Sequence, residues 1–337
     1  MKVAFDADYA YARACGSLAK SFLGERAASL ARCSRVAEAW RAVFDEIPPA
    51  LPEAALAAEM ELRLGGRAAA ALRSVAGPLV LDTPLFRALS RRREMSYLKR
   101  VLAAAAEGAS APPEPSSPGL FPDIRVEAFP DIERMLRNTC YAWIVEAGSL
   151  DLPAVKNRLD RQYYRDLWEA VSTMSAALRG SLLPLVRVEA ELENVAWALR
   201  LKRYYAMDAS DIGELLIDLP GADVKAPAIA ALGFRSDARS DWREWKWERL
   251  VPDLKREGAG AWRLDLRALE SAADAYLFRR LLRALHMESD TCVPLYSYFR
   301  IKEMEAIAIR GVVEGIKLEA PEEEIAAFAS ERTGGAA

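Results

Sequence analysis

The residue best suited to proton transfer near neutral pH is the single histidine, His286, within Ala284-Leu285-His286-Met287. A general base needs an orienting carboxylate, and no acid in its sequence neighbourhood identifies itself as one, so His286 reads as a packed or helix-end residue. The four cysteines, Cys15, Cys33, Cys140 and Cys292, form no CxxC pair and stand beside no histidine cluster, which argues against a protein-ligated zinc site. Cys15 and Cys33 could approach in a helical hairpin, but neither has neighbours that would generate a thiolate, and widely spaced cysteines of this kind read as ordinary buried thiols in a reducing compartment. Carboxylates are plentiful. Asp160 and Asp274 each precede a bulky apolar pair by one turn, so they read as matched structural positions rather than an acid and a base.

The sequence contains no GxxxxGK[ST] phosphate loop, GxGxxG turn, HExxH helix or GxSxG elbow. Nucleotide hydrolysis and the common hydrolase routes therefore lack their parts, and no catalytic, cofactor or metal residue is assigned. Basic and aromatic residues interleave at 161–165 and 200–205, a pattern suited to stacking on single-stranded nucleic acid. Asp160, Asp166, Glu189, Glu191 and Glu193 mix the field in the same stretches, and 46 Lys and Arg against 49 Asp and Glu leave a formal charge of −3. No global positive field draws the chain to nucleic acid.

The elements that would position these groups are helical. The 337 residues are 52% hydrophobic, and the alanines run with Leu, Arg and Glu rather than in β-branched alternation. The first reading is a helical stretch from Tyr9 to about Val43, ended by Pro48-Pro49. A second spans Pro52 to Val75 and is interrupted at Gly65-Gly66, with a turn at Gly77-Pro78. Asp82 or Thr83 caps a helix opening on Pro84. That helix carries Arg91-Arg92-Arg93 and Lys99-Arg100, which read either as a solvated face or as a face for an acidic protein or lipid surface.

Residues 108–122, with closely set prolines, read as a linker. Further helices are expected at Phe129–Ala147, Leu152–Leu178, from Pro184 towards Tyr205, and at 211–219. Others follow over Leu264–Leu285, from Pro294 to about Gly315, and from Pro321. Trp242, Trp245 and Trp247 suggest packing rather than a ligand cage, since they cannot share one helix face. Asp6 and Asp8 break any apolar signal core, and no segment has the length and apolarity of a membrane span.

The chain repeats itself. At an offset of 110, Pro184-Leu185 meets Pro294-Leu295, Glu193 meets Glu303 and Arg200 meets Arg310. Upstream, Asp160, Tyr163, Tyr164, Leu167 and Trp168 meet Asp274, Leu277, Phe278, Leu281 and Leu282 at an offset of 114. Acid and arginine lie seven residues apart on one helix face, too far for a direct i,i+4 pair, so each should meet another helix or solvent. The N-terminal third has the length of a third module, with a weaker match.

Pro294-Leu295, Tyr298, Lys302-Glu303, Glu305, Arg310 and Gly315 together resemble the C-terminal signature of the central-stalk C-subunit family of bacterial and archaeal V/A-type rotary ATPases. This family is the counterpart of the membrane-sector d subunit of eukaryotic V-ATPases. Glu193, Asn194, Leu199, Arg200 and Lys202 resemble its middle helix, and Tyr9, Tyr11, Ala12 and Arg13 its first.

The resemblance implies an all-α fold of three similar helical domains in a pseudo-threefold funnel with a central cavity. Approximate boundaries are 1–118, 119–222 and 223–337, with the terminal helices free to pack together. It implies a non-catalytic rotor adapter, peripheral on the cytoplasmic face of the membrane. Its partners would be the D and F subunits of the axle and the proteolipid ring, with no cofactor, bound nucleotide or nucleic acid.

The candidate structural and interface residues are Tyr9, Tyr11, Arg13, Arg91, Arg92, Arg93, Glu193, Asn194, Arg200, Lys302, Glu303, Glu305 and Arg310. A helical interaction scaffold unrelated to a rotary ATPase is the alternative. An enzyme using scattered carboxylates would instead require a concave pocket of convergent, perturbed groups.

Overall fold

The computed structural model describes residues 2–81, 83–115, 124–146, 151–252, 262–288 and 292–333. The fold is all-α: among the described residues the sheet-type pairing is limited to an isolated antiparallel bridge between Leu219 and Ala222.

The stretch read as one helix over 9–43 is broken. α1 (Lys2–Leu18) gives way to a loop, α2 (Glu25–Ala28), a 3-10 turn at Ser29–Arg32 and α3 (Val36–Phe44). Gly24 at φ 52°, ψ −131° takes a conformation that a side chain would resist, and Cys33 and Arg35 are extended. α3 stops at Asp45, which turns left-handed at φ 56° before the two prolines.

α4 (Glu53–Leu81), by contrast, runs through both Gly65-Gly66 and Gly77-Pro78. Its packing on the helices around it outweighs the weak local propensity of the glycines. α5 (Pro84–Ala106) begins at the proline, as expected. Residues 108–115 of the expected linker are irregular, and 116–122 lie outside the described residues.

The helix expected over 129–147 is two short ones, α6 (Ile132–Leu136) and α7 (Trp143–Glu146), with left-handed Asn138 between them. α8 (Leu152–Ser172) ends sooner than expected. Ser175 then accepts the Leu178 N–H and starts α9 (Ala176–Tyr205), leaving Pro184 inside the helix instead of at its head. The carbonyl that loses its partner there belongs to Gly180.

α10 (Ala209–Leu215) is shorter than expected. α11 (Ala226–Gly233), α12 (Leu266–Met287), α13 (Cys292–Lys317) and α14 (Glu322–Arg332) complete the chain. Asp265 caps α12 by accepting from the Arg267 and Ala268 N–H groups.

Six long helices are neighbours in cyclic order: α4, α5, α8, α9, α12, α13 and back to α4. α5, α9 and α13 share a register. Each carries Pro-Leu, at 84, 184 and 294; nine residues after the proline come Arg93, Glu193 and Glu303; sixteen after it come Arg100, Arg200 and Arg310. The Pro-Leu of α5 thus falls at the same register as those of α9 and α13.

A large apolar core unites these pairs and includes Trp242, Trp245 and Trp247. Trp242 stacks edge-on against Phe234 and Trp245 at 5.1 and 5.3 Å, so the tryptophans are packing residues. A second core joins the two chain ends: Phe22, Trp40 and Met60 pack with Ile309, Val313 and Ile325. α14 lies so close to α13 that a Cβ on Gly311 would sit 1.9 Å from the Phe328 ring.

Candidate functional site

The three register-matched helices meet over a floor of charges. α5 contributes Arg92 and Arg93, α9 contributes Glu189 and Glu193, and α13 contributes Arg300 and Glu303. Glu189 and Arg300 have side chains only 4% and 5% exposed. Glu189 accepts from Arg92 Nη1 at 2.9 Å, from Arg300 Nε at 3.0 Å and again from Arg300 Nη2. The Tyr164 and Tyr296 hydroxyls donate to it at 3.1 and 3.4 Å. Arg300 also pairs with Glu303, and Arg93 Nε lies 3.9 Å from the same carboxylate.

Aromatic faces complete the seat, with Tyr163 5.4 Å from Arg92 and Phe299 5.2 Å from Arg93. The three arginines thus share the two carboxylates of Glu189 and Glu303 in a region where an unpaired charge would be costly, with Glu193 alongside.

Burial works against ionisation of Glu189, but Arg300, Arg92 and the Tyr164 hydroxyl outweigh it and hold the carboxyl below its ordinary range. Glu193 is the opposite case: burial raises it, Arg92 offsets only part of the effect, and Glu189 adds to it. Burial also pushes the Tyr163 hydroxyl up to about 12.

Three recesses open above this floor, and Arg92 lines each of them. One of about 180 Å³ lies among α4, α5 and α13, one of about 170 Å³ among α5, α8 and α9, and one of about 230 Å³ among α9, α12 and α13. Arg100, Arg200 and Arg310 are exposed one to two turns beyond the floor. At this level a base on each helix of the set reaches an acid on the next neighbour around the cycle. Lys99 pairs with Asp160 of α8, Arg200 with Glu270 of α12 at 2.6 Å, and Arg310 with Glu61 of α4 at 3.4 Å.

The other sequence candidates fall into separate contacts. Arg91 pairs with Asp166 at 2.5 Å, so the Arg91-Arg92-Arg93 run is engaged within the chain. Asn194 is fully buried; it donates to the Ile217 and Val224 carbonyls at 3.0 Å and accepts from the Ile217 N–H at 2.7 Å. This bracket holds the loop that carries the Leu219–Ala222 bridge.

Lys302 and Glu305 form a buried pair. Lys302 also reaches Ser21 at 3.0 Å, and Glu305 accepts the Phe22 N–H at 2.8 Å, which fastens the loop after α1 to α13. Tyr11 meets His286 Nδ1 at 3.1 Å, and Arg13 lies 5.5 Å from the exposed ring of Tyr9. His286 is thus a helix-end contact. Among the described residues no group of His, Cys, Asp and Glu is arranged to hold a metal ion.

Sequence reading counted Asp166 and Glu189 only among acids that mix the field, and did not single out Arg300, Glu270 or Glu61. Arg300 occurs without a repeat partner, since Ala190 stands at the matching position. Nothing local marks it as the centre of the floor. An acid within one turn of Asp274 was the available signal for Glu270.

Residues 59–328 match the family model described as ATP synthase (C/AC39) subunit. An uncharacterized protein of Treponema pallidum is 27% identical over 318 residues, spanning 91% of this chain and 92% of its own length. The C subunit of the A-type ATP synthase of Methanosarcina mazei is 26% identical over 188 residues, and that of Methanosarcina barkeri 24% over 184. Each of these two alignments covers 55% of this chain and 49% of the archaeal protein. With most of its length inside the family match, the chain belongs to the ATP synthase (C/AC39) subunit family.

Proposed function

We propose that this chain is the non-catalytic rotor adapter of a V/A-type ATPase. In this reading it joins the axle made by the D and F subunits to the proteolipid ring and carries torque between them, for ATP-driven ion pumping or ion-driven synthesis. Its three modules, about 1–118, 119–222 and 223–337, form a pseudo-threefold funnel on the cytoplasmic face of the membrane, and the end of the axle seats in the central cavity.

The observation that carries this reading is the meeting of α5, α9 and α13 side chains in one buried charge cluster, with recesses opening above it. A coupling must resist shear between its parts. Buried, multiply bonded ion pairs linking three helix pairs fix their relative orientation in a way that apolar contacts alone do not. The rim arginines Arg100, Arg200 and Arg310 are placed to orient an inserted partner. Membership of an ATP synthase subunit family supports assembly with other subunits of that complex. A peripheral place suits a chain in which, among the described residues, no helix is long and apolar enough to cross a membrane.

The test is reconstitution. Co-expression with the D and F subunits and the ring should yield a complex that requires this chain, and ATP hydrolysis should drive ion transport only when it is present. Ring and axle that associate and transmit rotation equally well without it would overturn the proposal.

A further inference from the structure

Glu193 differs from the other acids of the floor. Glu189 holds Arg92 and Arg300, and Glu303 holds Arg300 and stands 3.9 Å from Arg93 Nε. Glu193, half-buried on α9, has neither a hydrogen bond nor an ion pair among the described residues. It lines both the recess among α5, α8 and α9 and the recess among α9, α12 and α13. Burial holds its carboxyl above the ordinary range, Arg92 offsets only part of this, and Glu189, Asp160 and Asp274 add to it.

The recess among α5, α8 and α9 leaves this charge uncompensated. Of the other ionised groups that line it, Arg92 is held by Glu189 at 2.9 Å and Asp160 is held by Lys99. Trp197, Tyr163 and Tyr164 supply its aromatic wall. Tyr163 is 3% exposed, and its hydroxyl has no hydrogen-bond partner. At about 170 Å³ the recess falls below the roughly 300–1,000 Å³ of a small-molecule pocket, a size that suits one extended side chain.

We infer that this recess receives the cationic end of one lysine or arginine from a protein seated over the floor, with Glu193 as its counter-ion and the Tyr163 hydroxyl as a second acceptor. This rests on the rotor reading, in which that protein is the end of the axle. An ionised carboxylate without a partner in a half-buried site weakens the fold that carries it, and an added cation reverses the sign of that contribution. Trp197 gives the cation an aromatic neighbour, a further preference for positive over negative charge.

The test uses the full chain and the purified pair of D and F subunits, with affinity measured by biolayer interferometry at low salt. Glu193→Gln should weaken binding roughly tenfold or more, and Glu193→Lys should abolish it. E193K should bind again when one Lys or Arg at the inserted end of the axle is replaced with Glu. E193Q removes a charge that burial disfavours, so its melting temperature should equal or exceed the parent's, and lost binding cannot be lost folding. n-Butylammonium and ethylguanidinium should give no saturable heat with the chain alone. Equal binding of the D and F pair by the parent and E193Q chains would overturn the inference and leave the rotor reading standing, whereas no binding by the parent would overturn both. Saturable binding of either small cation, lost in E193Q, would make this a site for a free cation and overturn its assignment to a partner's side chain.

Discussion

Replacing Glu189 with glutamine removes one charge from the centre of the floor and keeps the side-chain shape. Arg300 and Arg92 then lose the carboxylate that both of them hydrogen-bond, and Glu303 is left as the paired carboxylate of the three arginines. Because Glu189 and Arg300 are 4% and 5% exposed, water cannot take the place of the lost partner. Breaking a buried pair on one side costs about 3–5 kcal/mol. At roughly 2–4 °C per kcal/mol for a large cooperative unit, the melting temperature falls by roughly 6–20 °C.

The assay is thermal and urea unfolding followed by circular dichroism, with a lower urea midpoint at unchanged slope. The effect also has a signature in pH. The Glu189 carboxyl is held below its ordinary value in the folded chain, so its contribution is complete above the unfolded carboxylate value of about 4.3 and is lost as pH falls through the folded value. The gap between the parent and E189Q chains should therefore be wide at pH 7 and narrow below about pH 4. Adding Arg300→Met to the variant removes the orphaned cation, and the double variant should be less destabilised than the sum of the singles. A loss under about 1 kcal/mol at pH 7, or simple additivity, would refute the claim that this cluster holds the helices together.

Glu193 should behave in the opposite sense. Its folded value is raised, so its favourable contribution is present below the ordinary carboxylate value and is lost as pH rises through the folded one. E193Q should melt above the parent at pH 7 and equal to it near pH 4. Asn194→Ala strands the Ile217 N–H and two carbonyls in a dry site and should cost about 2–4 kcal/mol by urea unfolding. Arg310→Glu breaks a pair whose partners are 47% and 61% exposed, so the stability loss should stay under about 1 kcal/mol. Under the rotor proposal, the same variant should weaken co-purification with the D and F subunits; wild-type melting together with wild-type assembly would remove Arg310 from the interface.

Helical content was legible because Ala, Leu, Arg and Glu recur at helical spacing, and helix starts were read correctly where a proline opens or immediately precedes the element, as at Pro84 and Pro321. Boundaries failed where tertiary contact decides. The glycines of α4 were read as breaks, yet the helix continues because α13 packs along it. Pro184 was read as a start, yet Ser175 nucleates the helix earlier.

The site was only half legible for a related reason. Arg91-Arg92-Arg93 is conspicuous as a run, but its partners Asp166 and Glu189 lie 75 and 97 residues away, and sequence spacing carries no information about pairs closed by the fold. Glu193 and Glu303 lie seven residues before Arg200 and Arg310, too far for a direct pair, so each arginine was expected to meet another helix or solvent, and each pairs with an acid of a neighbouring helix.

The faintness of the third repeat has a physical reason in the same floor. Position nine after the proline is Glu193 in α9 and Glu303 in α13, but Arg93 in α5. Strict repetition would place a third carboxylate beside Glu303, where Arg93 Nε now stands 3.9 Å away. Two unit charges at about 4 Å interact by roughly 4 kcal/mol at an effective dielectric of 20, so reversing the sign of one turns a comparable attraction into repulsion. Helices that diverge towards solvent can keep identical residues, as Arg100, Arg200 and Arg310 do at the rim. Helices that converge cannot, because their equivalent side chains come within reach of one another. The departure of Arg93 from the pattern at position nine therefore puts an attraction beside Glu303 where a carboxylate would put a repulsion.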